Sequence, residues 1–232
     1  MVFLVAEIGV NWDGDVNLVK EMVSTMKRIG FDAVKFQAYN EKIIGDHPEK
    51  DRLMKSAIKK DNIDSINDIC KDAHIEWFCT PMYPEAVDLL EPYVSRFKIR
   101  VHDGKSIFNN QNSELLKRVF ETKKEVIISS QNSPKNIKFE HEQVIKWLYC
   151  VPSYPCKIEE VDFTSFKDFN GYSNHCVDIS VPFTSAILGA EIIEVHVTAD
   201  KTKDFVDNNV SFNYEESNTL VSLVRSSEKI RR

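Results

Sequence analysis

Gly171-Tyr172-Ser173-Asn174-His175 and, about twenty residues later, Ile192-Ile193-Glu194-Val195-His196-Val197-Thr198 are the stretches whose reading decides the fold. In the second, Ile193, Val195 and Val197 fall on one face of an extended chain, and Glu194, His196 and Thr198 on the other. A strand this apolar is buried, so its polar face requires partners or a ligand. Between the two stretches, residues 177–188 carry the apolar spacing of a helix. The local unit is strand, helix, strand.

The same rhythm runs through the chain. Residues 2–6 read as strand one and 15–29 as a helix, with Asp15 as its cap, Val16, Val19, Met22, Val23 and Met26 at helical spacing, and Gly30 as its stop. Strand two covers 33–37. A long polar stretch over 39–60 follows, with a short helix predicted at 49–58, and a connection of that length is usually functional. Helix 63–73 leads to strand three at 76–79, helix 84–90 to strand four at 95–99, and helix 113–122 to strand five at 126–129. Strand six covers 144–150, a weak helix 163–169, strand seven lies at Tyr172, strand eight covers 192–197, and helix 214–230 ends the series.

Eight strand–helix units in 232 residues come to about 29 residues each, the size of a (β/α)8 TIM barrel, predicted as a single domain over 1–232. A doubly wound open sheet is the rival. It calls for a glycine-rich phosphate turn after an early strand, and the seven glycines here include none in GxGxxG order.

The formal charge of −6 gives no general attraction for nucleic acid, and no Lys/Arg stripe interleaved with aromatics locates one. No apolar run reaches the ~18–20 residues of a membrane helix, and the opening Met1-Val2-Phe3-Leu4-Val5-Ala6 is cut short by Glu7, so a cytoplasmic protein without membrane partners is predicted. Five cysteines without CxxC spacing favour reduced, buried thiols, although Cys176 beside His175 is a candidate ligand.

In a barrel, alternate strand residues face the lumen and catalytic groups gather at the C-terminal strand ends. Those ends offer Glu7, then Lys35 and Gln37, Thr80, Lys98, Ser129, Tyr154, Ser173 with His175, and Glu194 with His196. One lysine in an apolar strand is explained by a carboxylate such as Glu7 or Glu194. Two in one lumen point to an anionic ligand, because uncompensated buried charge is costly. Two imidazoles without thiolates suit a divalent ion with open positions, a Lewis-acid centre rather than a structural zinc. His47, His74 and His141 sit in polar contexts and read as surface residues.

Seven segments carry a resemblance: Ala6-Glu7-Ile8-Gly9-Val10-Asn11, Ala33-Val34-Lys35-Phe36-Gln37, Cys79-Thr80-Pro81, Phe97-Lys98-Ile99, Tyr154-Pro155, Gly171-Tyr172-Ser173-Asn174-His175 and Glu194-Val195-His196-Val197-Thr198. In this order, over nearly the whole chain, they resemble the sialic acid synthase (N-acetylneuraminate synthase) family of phosphoenolpyruvate-dependent enzymes. The resemblance implies a barrel that joins phosphoenolpyruvate to the open-chain aldehyde of an N-acetylated amino sugar, in surface-glycan biosynthesis. By position it implies phosphoenolpyruvate contacts at Lys35, Gln37, Thr80, Lys98, Ser129 and Ser173, metal ligands at His175 and His196, and catalytic roles for Glu7, Tyr154 and Asp207. Manganese is the metal it implies, with magnesium and cobalt as alternatives.

The departures from the pattern are specific. Asn11-Trp12-Asp13-Gly14 replaces the family's Asn-His-Asp/Glu-Gly, and Val101-His102-Asp103 replaces a Ser-Gly-Glu/Asp turn, so a phosphate-side hydroxyl is missing and Arg100 or His102 supplies charge without its geometry. The family's small C-terminal antifreeze-protein-like domain is not expected here, so the sugar site is expected to be open, shaped for another sugar, or completed by a homodimer partner or a separate chain. Two other readings stand beside the synthase: a barrel without turnover that binds phosphoenolpyruvate or sugar as a sensor or partner subunit, and a Schiff-base aldolase using Lys35 or Lys98.

Overall fold

The computed structural model describes residues 1–135, 137 and 144–230; His141 lies outside them. Strands β1 (Phe3–Glu7), β2 (Ala33–Ala38), β3 (Glu76–Pro81), β4 (Arg96–Ile99), β5 (Glu125–Ser130), β6 (Ile145–Tyr149), β7 (Gly171–Asn174) and β8 (Ile192–His196) pair in sequence order, all parallel, and β8 closes on β1. The barrel predicted from the repeat is therefore the fold. Glu7 stands in register with Lys35 on one side and His196 on the other, and Ser173 with Glu194, so closure brings the polar strand ends into one ring.

The outer layer follows the apolar spacing. In α1 (Val16–Ile29) the Asp15 side chain accepts from the Asn17 and Leu18 N–H groups, as the sequence predicts, and Gly30 ends the helix at φ 109°. Val19, Met22, Val23 and Met26 are its buried face. The 39–60 stretch divides into α2 (Glu41–Ile44) and α3 (Lys50–Ser56), and α4 (Ile63–Asp72), α5 (Pro84–Leu90) and α7 (Glu114–Glu121) match the remaining early helices.

Four boundaries differ. A short helix, α6 (Val101–Gly104), follows β4 at once and runs on as a 3-10 segment, Lys105–Asn109. The helix expected over 163–169 is only the 3-10 turn Phe166–Asp168. Phe163, Phe166 and Phe169 repeat every three residues and all pack on the core, a spacing that suits the tighter helix. α8 (Ser180–Ile187) begins three residues late, because the Asp178 side chain accepts from Ser180 N–H and sets a turn there. α9 (Tyr214–Ser227) ends three residues early.

The N-terminal mouth of the barrel is closed by ion pairs: Arg96 reaches Glu76 at 2.8 Å and Glu125 at 2.6 Å, with its guanidinium over the Phe3 ring. At the opposite mouth the described residues leave a cavity. No described helix is long and apolar enough to cross a membrane.

Candidate active site

A cavity of about 560 Å³ opens at the C-terminal strand ends. Its floor is ionic. Lys35, 3% exposed, places Nζ 2.8 Å from Glu7 Oε2 and 3.1 Å from Thr80 Oγ1, which accepts its hydrogen bond. Lys98, equally buried, donates to Ser129 Oγ at 2.7 Å. Glu194 Oε1 lies 3.8 Å from Lys35 Nζ and 3.5 Å from Lys98 Nζ and accepts from Ser173 at 3.0 Å. Its other oxygen, Oε2, is buried without a hydrogen-bond partner.

The floor is held in tension between burial and charge. Burial works against the Lys35 ammonium, but Glu194 and Glu7 outweigh it and hold that lysine above its usual value. At Lys98 burial wins over Glu194 and the value falls. Burial also opposes the Glu194 carboxylate, yet two ammonium groups keep it ionised and below its usual range.

Glu7 is fully buried, and Gln37 donates to its Oε1 at 2.7 Å, which fixes the carboxylate's orientation. The close approach depends on Gly9, at φ 53°: a Cβ there would meet Gln37 Nε2 and Glu7 Oε1 at 3.2 Å and Asp207 Oδ2 at 3.4 Å. Asp207 is brought in from beyond β8 by Asn11, whose Oδ1 accepts from the Asp207 N–H at 3.1 Å while its Nδ2 donates to Val197 O and Ser211 Oγ.

The two histidines stand side by side, ring centroids 5.6 Å apart, and the Tyr154 ring sits edge-on to both, at 4.8 Å from His175 and 5.6 Å from His196. His175 Nδ1 is 2.9 Å from Val151 O, and His196 Nδ1 is 3.4 Å from Asp207 Oδ2. Both rings line the cavity, and His196 Nδ1, buried, has no hydrogen-bond partner closer than Asp207 Oδ2. Burial, with His196 beside it, pulls His175 down to about 4, so its ring is neutral near pH 7. Burial also opposes the charged form of His196, but Asp207 and Glu7 outweigh it and raise the value.

Among the described residues no group of three or more His, Cys, Asp or Glu is placed to hold a metal ion. Two oriented imidazoles do fit an ion that keeps open coordination positions, with Val151 and Asp207 as outer partners that fix the rings.

The catalytic, phosphoenolpyruvate and histidine-ligand candidates named from the sequence all reach this cavity: Glu7, Lys35, Gln37, Thr80, Lys98, Ser129, Tyr154, Ser173, His175, His196 and Asp207. Glu194, read from the sequence only as a counter-charge, sits at the floor's centre. His47, read as a surface residue, is exposed but borders the mouth, because α2 and α3 fold the 39–60 stretch over it. The apolar wall of Val10, Leu53, Met82 and Val206 was missed. Its members come from four separate connections, and no periodicity links them. Cys176 is buried and is not among the cavity residues, so its ligand role falls away.

A family model described as the NeuB family matches residues 22–232. An uncharacterized protein of Methanocaldococcus jannaschii is 33% identical over 98% of this chain and 71% of its own length. The N,N'-diacetyllegionaminic acid synthase of Legionella pneumophila is 26% identical over 98% of this chain and 72% of its own. Among solved structures, the N-acetylneuraminic acid (sialic acid) synthetase of Leptospira borgpetersenii in complex with citrate superposes with a TM-score of 0.86 at 27% identity, covering all of this chain and 86% of that one.

Proposed function

The chain belongs to the NeuB family, and on that premise we propose that it condenses phosphoenolpyruvate with the open-chain aldehyde of an N-acetylated amino sugar, giving a sialic-acid-like nonulosonic acid. The observation that carries this reading is the pairing of two buried lysines, each with its own hydroxyl, with two imidazoles across one cavity. An anion cradle beside a two-ligand metal position is what such a condensation requires.

In this reading Lys35, Lys98, Thr80, Ser129 and Ser173 hold the carboxylate and phosphate, with Gln37 alongside. His175 and His196 would hold a divalent ion, manganese by preference with magnesium or cobalt as alternatives, which would supply Lewis-acid polarisation of the aldehyde. The C2=C3 π pair of the enol phosphate forms the bond from C3 to the aldehyde carbon as the C=O π bond breaks, so positive charge develops at C2 and the former aldehyde oxygen becomes a hydroxyl by taking a proton from solvent. Water adds at C2 and gives its proton to Glu7, which Gln37 keeps aimed at the reacting atoms. Loss of phosphate from the resulting tetrahedral centre leaves the keto acid. Tyr154 and Asp207, beside the histidines, bind the sugar end. A homodimer, or a separate chain, would complete the open mouth.

Incubation with phosphoenolpyruvate, manganese and a panel of N-acetylated hexosamines tests the reading: phosphate is released only when a sugar is present. Silence across the panel from folded protein rejects it. One observation favours a second reading, a barrel that binds without turnover: the turn after β4 presents the aliphatic Val101 to the cavity where a hydroxyl would serve a phosphate. Calorimetric binding of phosphoenolpyruvate without phosphate release would select it. The aldolase reading is disfavoured, because Lys35 and Lys98 are each engaged by a hydroxyl and a carboxylate, and borohydride trapping with pyruvate checks it.

A further inference from the structure

The charges of the floor already cancel. Two ammonium groups, Lys35 and Lys98, face two carboxylates, Glu7 and Glu194, all within 3.8 Å of a partner. Phosphoenolpyruvate would add a carboxylate and a phosphate to this balanced set, so a further cation is needed at the phosphate end. Lys35 is hemmed in by two carboxylates, Glu7 at 2.8 Å and Glu194 at 3.8 Å, whereas Lys98 has the neutral Ser129 hydroxyl and one carboxylate, Glu194 at 3.5 Å. The Lys98 side is therefore the more electropositive and the place for the doubly charged group.

Two residues beyond Lys98, on the same side of the extended chain, stands Arg100. Its guanidinium is forked onto Asp103, with Nε to Oδ2 at 2.6 Å and Nη2 to Oδ1 at 3.2 Å. Arg100 lines the cavity, its side chain 37% exposed, and Asp103 stands behind it at 12%. Val101, next in the chain, borders the cavity with no polar side-chain atom. His102 and Lys105 also border it, but both are exposed and neither presents a planar fork of donors.

Building on the reading of the cavity as a phosphoenolpyruvate site, we propose that Arg100 is the positioning residue for the phosphate. It exchanges Asp103 for two phosphate oxygens when the enol phosphate binds, and so supplies the cation that the balanced floor lacks. Asp103 parks the guanidinium in the free protein, so the site does not carry an uncompensated charge while empty of substrate. A guanidinium suits the task because its parallel N–H donors match two phosphate oxygens, and hydrogen bonds between charged groups are the strong ones.

Calorimetry on metal-free protein, with phosphoenolpyruvate, inorganic phosphate and pyruvate as probes, tests this in wild type, Arg100→Ala, Arg100→Lys and Asp103→Asn. Arg100→Ala is expected to weaken both phosphate-bearing probes by about 10–100-fold while pyruvate changes by less than about 2-fold. Arg100→Lys should fall between the two. Asp103→Asn, which releases the guanidinium, should bind phosphoenolpyruvate as tightly as wild type or more so. The inference is overturned if Arg100→Ala binds phosphoenolpyruvate like wild type, if it loses pyruvate in equal measure, or if Asp103→Asn weakens binding as much as Arg100→Ala does. Failure of wild type itself to bind phosphoenolpyruvate strikes the reading of the cavity, and Arg100's role with it. Should Arg100→Ala not fold, the Lys and Asn variants carry the test.

Discussion

His175 and His196 differ in what they cost the fold, although both face the cavity. His175 is half-buried, with its Nδ1 against the Val151 carbonyl and the Cys150 thiol, while His196 is 7% exposed and its loss would remove one of the side-chain partners of the buried Asp207 carboxylate, leaving Tyr154. Under the proposed metal role, His175→Ala should lower bound manganese sharply, measured by elemental analysis after dialysis, with a stability change within about 1 kcal/mol. His196→Ala should lose metal to the same degree and stability somewhat more, since a buried carboxylate that loses a partner is penalised. Wild-type metal content in both variants would reject the pair as ligands. Glu194 shows the limit of residue-level reading. Its charge in an apolar strand was visible, but its place between two lysines from β2 and β4 depends on atoms far away in the chain.

At the scale of the element, β7 and β8 are locked by Gly171. A Cβ built there would lie 1.9 Å from the Ile192 carbonyl oxygen, its register partner on β8. No rotamer relieves a clash with backbone, so Gly171→Ala must spread the two strands that carry Ser173, His175, Glu194 and His196. A loss of about 3 kcal/mol or more is expected in urea unfolding, together with loss of any ligand binding. A variant as stable as wild type would show that the β7–β8 spacing is less demanding than its geometry. The elements least legible in the sequence are the short ones after strand ends. α6 begins directly beyond β4, with no polar linker to announce it, and Phe163, Phe166 and Phe169 keep a three-residue period that mimics a helix over too short a run.

At the scale of the whole molecule, the five thiols report on the packing of the barrel. All are buried and unpaired, and burial pushes Cys70 and Cys150 from 9.0 up to about 12 and Cys156 up to about 11. Folding thus favours the protonated thiols. The stability they contribute is complete below pH 9 and is lost as the pH rises from 9 towards 12, where the unfolded chain ionises first. The melting temperature should therefore fall progressively above pH 9, and Ellman's reagent at pH 8 should find almost no thiols in the native protein and all five in urea. Rapid native labelling of Cys150, which borders the cavity, would contradict its burial.

The apolar periods of 2 and 3.6, the caps at Asp15 and Gly30, and the repeat of about 29 residues are local properties, so the sequence by itself determined the eight strand–helix units, their succession along the chain and which polar residues stand at the strand ends. Register, closure and connection paths are long-range, and only the tertiary structure decided them. Closure of β8 on β1 sets Glu7 beside both Lys35 and His196. The Asn11 amide draws Asp207 in from a connection 196 residues away, and the 39–60 stretch folds over the mouth to add Leu53 to the wall and His47 to its rim. The physical reason is that periodicity reports which face of an element is buried, whereas the partners across a cavity depend on how all eight strands pair at once.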